Sequence, residues 1–230
     1  MTPPTELAEK AMRRELEIAE AFLDGKRRLV FGVFLIRAYD EGLDMLDNLA
    51  VLRAPGTDIA EQALKMRADY YFEKRKFEDA EQEYARLQRE YPTGGYARVA
   101  ALRSAESAMA MFRGTAFDET PLLEADTRYR HFRDLYPDMA QANGVDAILD
   151  RIADHRARKA YDVACWYRKA RGYDAARQAF EHVIAAWPES PLVQASTEAV
   201  AMLPEQKTRP AEGSGVLDNA PLLQMGVPVG

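Results

Sequence analysis

Leu64, Ala68-Asp69-Tyr70-Tyr71-Phe72, Phe77-Glu78-Asp79-Ala80, Tyr84, Leu87 and Tyr91-Pro92 form the stretch whose reading decides the fold. Its key positions return later in the chain. Leu64, Ala68, Tyr71, Ala80, Tyr84 and Leu87 reappear as Ala160, Ala164, Tyr167, Ala176, Phe180 and Val183, closed by Trp187-Pro188. Each stands 96 residues (188 − 92) after its counterpart. Apolar residues three and four apart mean helices, and a helix–turn–helix unit that recurs in register means stacked hairpins. Small residues such as Ala68 and Ala80 let two helices approach closely. Tyr71 and Tyr84 fill the groove between them. One hairpin cannot cover its own apolar face, so its neighbours must stack on it. A third closing signal, Tyr136-Pro137, is preceded by Ala125, Tyr129 and Phe132 in the same second-helix register. Proline after each aromatic residue prevents the helix from continuing.

Working outward, helical patterns fill most of the chain. Thr5 to Asp24 reads as a helix with Leu7, Ile18, Phe22 and Leu23 as apolar positions and Gly25 as its stop. Tyr39 to Arg53 carries Leu43, Leu46, Leu49 and Leu52 on one stripe, and Asp58 reads as the N-cap of the next helix. Residues 113–120 and 138–144 read as loops. Val145 to Ala170 has no breaker and predicts one long helix, interrupted at Gly172. A last helix is predicted from Pro191 to Leu203. Residues 26–38 read as a loop or extended insert, with Leu29 to Ile36 the only strand candidate, more readily buried against helices than laid on a membrane. The three regions expected are an N-terminal helical hairpin with insert at 1–58, tetratricopeptide-like repeats at 59–203, and a flexible tail at 204–230. The fold class is all-α: a tetratricopeptide-like superhelix of four to five irregular helical hairpins. It is irregular because the closing prolines lie further apart than the usual period of about 34 residues.

Composition narrows the function classes. A chain of 230 residues with 47% hydrophobic and 30% charged residues is not disordered as a whole. A net charge of −6 argues against a surface built for nucleic acid. The single cysteine, Cys165, excludes an intramolecular disulfide framework and a cysteine-based metal cluster. The opening Met1-Thr2-Pro3-Pro4 lacks the pattern of a signal peptide. The run from Leu29 to Ile36 is far short of the roughly 20 apolar residues that span a bilayer. His131, His155 and His182 show no metal-binding spacing, although His155 and His182 are candidates to approach across a hairpin. No phosphate loop and no nucleophile with a base beside it is evident. No enzyme activity and no cofactor is expected.

From Ile59 to Leu203 the chain resembles the BamD family, also called YfiO or ComL, the tetratricopeptide lipoproteins of outer-membrane β-barrel assembly. The resemblance rests on Ala68 to Phe72 through Phe77-Glu78-Asp79-Ala80 and Tyr91-Pro92, on Tyr96 entering an alanine-rich helix, and on Tyr161-Asp162-Val163-Ala164-Cys165-Trp166-Tyr167 with Arg171-Gly172. It implies a periplasmic adaptor on the outer membrane that binds a barrel-insertion protein and unfolded barrel substrates. The family's lipid-acceptor cysteine has no counterpart here, so membrane association is expected only through an anchor not present in this chain. The weaker parts of the pattern are shared with other envelope scaffolds, such as a Tol-Pal-associated periplasmic factor. A generic scaffold of an envelope or cytoplasmic complex therefore stands as the alternative.

Candidate binding residues follow from the groove of such a superhelix, which is lined by the first helix of each pair, one position off the packing residues. These are Gln62, Lys65, Asp69 and Phe72 in one hairpin, and Arg158, Tyr161, Cys165 and Arg168 in the last. Phe72 reads as an exposed aromatic suited to peptide binding, with Tyr96 as a second anchor. Arg156, Arg158, Lys159, Arg168, Lys169 and Arg171 stand against only Asp162 and mark the long helix as a docking face for an acidic partner.

Overall fold

A computed structural model describes residues 6–30 and 34–204, with the side chains of 28–36 outside the described part. Among the described residues are ten α-helices and one short β-hairpin. The helices are α1 (Glu6–Leu23), α2 (Tyr39–Asn48), α3 (Asp58–Glu73), α4 (Phe77–Glu90), α5 (Ala97–Ala110), α6 (Thr120–Leu135), α7 (Pro137–Ala142), α8 (Val145–Lys169), α9 (Tyr173–Ala186) and α10 (Leu192–Met202). Four antiparallel pairs, α1–α2, α3–α4, α5–α6 and α8–α9, stack in sequence, and α10 closes the array against α9 and α8. This is the all-α, tetratricopeptide-like superhelix that the repeat predicts.

The repeat register holds at atomic detail. Ala68, Ala80, Leu87, Ala164, Ala176, Phe180 and Val183 are fully buried, and Tyr84 is nearly so. The turns inside the two matching hairpins share one geometry. Arg75 N–H bonds the Phe72 carbonyl and Lys76 N–H bonds the Tyr71 carbonyl; Arg171 and Gly172 repeat this with Arg168 and Tyr167. That pattern is a Schellman motif, which needs a left-handed residue after the helix. Arg75 (φ 57°) and Arg171 (φ 62°) supply it, and glycine does not.

Several local expectations are revised. The strand candidate becomes an antiparallel hairpin, Arg27–Val30 (β1) with Phe34–Arg37 (β2), pairing Arg27 with Arg37 and Val30 with Phe34. Whether its apolar side chains are buried lies outside the described residues, as does the expected flexible tail. Residues 138–144 are not simply a loop, since α7 starts on Pro137, whose missing N–H and fixed φ suit a first helical position. The cap of α3 is Thr57, not Asp58: its Oγ1 accepts from Ala60 N–H at 3.4 Å. The buried stripe of α1 is Met12, Leu16 and Ala19, and Leu7 lies 79% exposed. After α2 the chain widens into a π-helical turn, Leu49–Arg53. The wider turn rotates Leu52 outward, to 72% exposed, and brings Ala50 in beside Leu49.

The core lies in three clusters. The first joins α1, α2 and the π turn to α3 and α4, the second joins α5 and α6 to the first half of α8, and the third joins the second half of α8 to α9 and α10. The α1–α2 crossing passes over Gly42, where a Cβ would stand 3.1 Å from the Ala19 carbonyl oxygen.

Candidate protein-binding groove

Helix α3 places Gln62, Lys65, Asp69 and Phe72 on one stripe, because residues three and four apart share a helix face. All four are half-buried. Lys65 pairs with Asp69, whose other oxygen accepts from the Tyr84 hydroxyl at 2.6 Å. Burial, reinforced by the Asp69 carboxylate, pushes the Tyr84 phenol far above its ordinary value. The Lys65 ammonium lies 5.5 Å from the Tyr96 ring centroid. Tyr96 itself is fixed by its backbone N–H, which donates to Glu61 Oε1 at 2.8 Å. Glu61 is a buried acid, and Gly94 makes room for it: a Cβ there would meet Glu61 Oε1 at 2.1 Å.

Phe72 is not the freely exposed aromatic that the spacing predicts. It is half-buried, edge-on to Phe77 at 5.6 Å and Tyr84 at 6.4 Å, with the Arg103 guanidinium 4.8 Å above its face. The structure thus brings Lys65, Asp69, Phe72 and Tyr96 together as a charged, aromatic floor between α3, α4 and α5. Its rings and charges are held by their neighbours, and Phe72 does not protrude from it.

The last hairpin carries a second stripe at the equivalent positions. Arg158, Tyr161, Cys165 and Arg168 stand where Gln62, Lys65, Asp69 and Phe72 stand. Tyr161 is edge-on to Phe180 at 5.5 Å, and the Arg168 guanidinium lies 5.8 Å from the same ring. Burial and the neighbouring Cys165 thiol raise the Tyr161 phenol, against which Arg168 and Arg158 act. The two stripes belong to different cores and form two separate surfaces.

In sequence the basic residues of α8 read as one docking face. The structure divides them. Arg156 and Lys159 line a cleft between α8 and α9, while Arg158 and Arg168 continue the groove stripe on the opposite flank. Two residues of helix rotate a side chain by about 200°, which separates Arg156 from Arg158. The histidines do not meet: His155 packs against Phe112 at 5.3 Å and His182 against Trp187 at 5.4 Å. Among the described residues no group of three His, Cys, Asp or Glu side chains is placed to hold a metal ion. Among those residues, too, no helix is long and apolar enough to cross a membrane.

Residues 39–209 match the family model YfiO, described as outer membrane lipoprotein. The chain belongs to the YfiO family. The match opens at the start of α2, so this YfiO chain carries the family pattern from its second helix onward. No curated protein matches it. Family membership associates the chain with the outer membrane and with a lipoprotein class.

Proposed function

We propose that this YfiO-family chain is a non-enzymatic adaptor of the outer-membrane β-barrel assembly machinery, working at the periplasmic face of the membrane. The supporting observation is the stripe that recurs at one repeat position in α3 and α8 with different chemistry. On α3 it is aromatic and zwitterionic, through Lys65, Asp69 and Phe72, with Tyr96 at the start of α5 beside Lys65. On α8 it is cationic, through Arg158 and Arg168, both exposed.

In this reading the first surface holds an extended segment of an unfolded barrel substrate. Such a segment lays alternate side chains on Phe72 and Tyr96 while its backbone meets the Lys65–Asp69 pair. The second surface docks on an acidic patch of a barrel-insertion protein, where charge complementarity fixes register. Gln62 lies at the start of the first surface and Tyr161 at the centre of the second.

The test is a crosslinked pull-down from native cell envelopes, made with the wild type and with Arg158→Glu/Arg168→Glu. A barrel-insertion protein is expected in the wild-type eluate, with its affinity for the double variant lowered more than tenfold. An eluate of cytoplasmic proteins alone would remove the assembly role and leave the repeat fold. Unchanged affinity in the charge-reversed variant would remove the α8 docking surface.

A further inference from the structure

The repeat offers an internal comparison. In the α3–α4 hairpin, the face that looks back along the chain is covered by α2 and the π turn. Ala60, Ala63 and Leu64 share a core with Leu46, Leu49 and Ala50. Arg67 and Arg86 both pair with Asp47, with the Arg86 contact at 3.2 Å. Tyr70 packs against Tyr39 of α2 at 5.9 Å, and the Tyr91 hydroxyl accepts from Gly56 N–H at 3.0 Å.

In the α8–α9 hairpin the same positions form an open cleft of about 220 Å³. Arg156, Lys159 and Ala160 replace Ala60, Ala63 and Leu64, so the buried leucine becomes an alanine that leaves space. Val163 and His182 replace Arg67 and Arg86, and Trp187 replaces Tyr91. Trp166, the counterpart of Tyr70, is 58% exposed, and Val163 is 43% exposed. The Arg156 Nε is buried without a hydrogen-bond partner among the described residues, and the guanidinium lies 5.7 Å from the Trp187 ring centroid.

The reason the face is open lies in α8. The preceding hairpin packs on its first half only, around Val145, Leu149 and Ile152. Among the described residues, the next turns lack the helix that a regular array would lay there. On one edge the loop before α6 approaches, through Glu119 and through the Phe117 carbonyl, which accepts from Lys159 Nζ at 2.6 Å.

We propose that this face of α8–α9 docks an acidic amphipathic helix of a partner protein, seated as α2 and its π turn are seated on α3–α4. The occupant is helical because the matching face of the same repeat is covered by helix. It is acidic because Arg156 and Lys159 outnumber Glu119 in the lining; this charge sits one turn earlier on the helix than in the covered copy, where Asp47 meets Arg67 and Arg86, because Val163 and His182 stand in their place. Its apolar stripe meets Ala160, Val163, Trp166 and Ala179. The proposal rests on repeat geometry and not on the assembly role above.

The probe is a stapled helical peptide with the sequence of residues 39–54, whose Asp40, Glu41, Asp44 and Asp47 make it acidic and which contains no tryptophan. Of the chain's two tryptophans, Trp187 lines the cleft and Trp166 stands exposed three residues beyond Val163 on α8, so emission from the full chain reports occupancy. A saturable emission change is expected, weakened at least tenfold by Val163→Asp and by Arg156→Gln. Arg14→Gln, on the exposed face of α1, is expected to leave it unchanged. Val163 is exposed enough that its variant folds, which circular dichroism checks. No saturable change, or equal binding by Val163→Asp, overturns the proposal. A dimer in sedimentation that Val163→Asp dissolves also overturns it, by assigning the face to a second copy.

Discussion

Arg75 and Arg171 hold left-handed backbone at the same point of two repeats (φ 57° and 62°). A non-glycine residue in that region costs about 1–2 kcal/mol, because Cβ crowds the following carbonyl. Glycine avoids the clash but loses roughly 0.5–1 kcal/mol in backbone entropy. Gly25 occupies the equivalent place after α1, at φ 91°. Arg171→Gly is therefore expected to stabilise the last hairpin by up to about 1 kcal/mol, and Arg75→Gly to do the same for α3–α4. Thermal melts should move upward by about 2–4 °C for each. A fall in either melting temperature would mean that the arginine side chain contributes more than the strain costs. These two residues were not legible as turn residues. The sequence points to Gly172, one position late, because arginine carries no turn signal and only its place in the Schellman hydrogen bonds reveals it. The burial of Phe72 is hidden for a related reason. Its place on the stripe is legible, but the flanking Tyr84, Phe77 and Arg103 reach it from α4 and α5, and contacts between elements have no local signature.

The helices themselves were legible wherever a stripe and a stop coincide, as in α3, α4 and α9. Pro137 closes α6 and opens α7 in one residue, so reading proline only as a stop hides the short helix after it. The π turn was hidden because Leu43, Leu46, Leu49 and Leu52 fit an α-helical period. The widening shows only in which of them is buried. That turn follows Asp47, which lies between Arg67 and Arg86. Arg86 also bonds Glu90 Oε1 at 2.8 Å, and Arg67 Nε lies 3.2 Å from Glu83 Oε1. Burial pushes the Glu83 carboxyl above its ordinary value of 4.5, and Arg67 and Arg86 only partly oppose it. The cause is visible: Glu83 is 12% exposed and its Oε2 is buried without a hydrogen-bond donor among the described residues. The folded state therefore binds this proton more tightly than the unfolded state. Its contribution is fully present below about pH 4.5 and is lost as pH rises through the raised folded value. Denaturant unfolding of the wild type from pH 4 upward should show this loss, superposed on the other groups. In Glu83→Gln that component should vanish, so the stability difference between variant and wild type should move in the variant's favour with rising pH. A difference that does not change with pH would mean that the arginines fully compensate the burial.

At the scale of the molecule, α8 is the link on which the array depends. Its 25 residues extend about 37 Å, long enough for Val145 to Ile152 to sit in the second core and Tyr161 to Tyr167 in the third. Stacked repeats are stabilised by their own cores and by neighbour interfaces, so they need not unfold together. The third core is the smallest, with Phe180 its largest fully buried side chain, in edge contact with Tyr161. Phe180→Ala removes about 3–5 kcal/mol there. Because the first core shares no residue with it, the loss should stay local. Hydrogen exchange should show α9, α10 and the second half of α8 losing protection in Phe180→Ala, while α3 and α4 keep theirs. The tryptophans Trp166 and Trp187 lie in the affected part, so fluorescence should melt before helical circular dichroism does. If all amides lost protection together, α8 would be transmitting stability along its whole length, and the chain would be one cooperative unit. Local loss would instead make the last hairpin a separately adjustable module. A partner helix seated on its open face would then stabilise that module by mass action and tighten the end of the superhelix that carries Arg158 and Arg168.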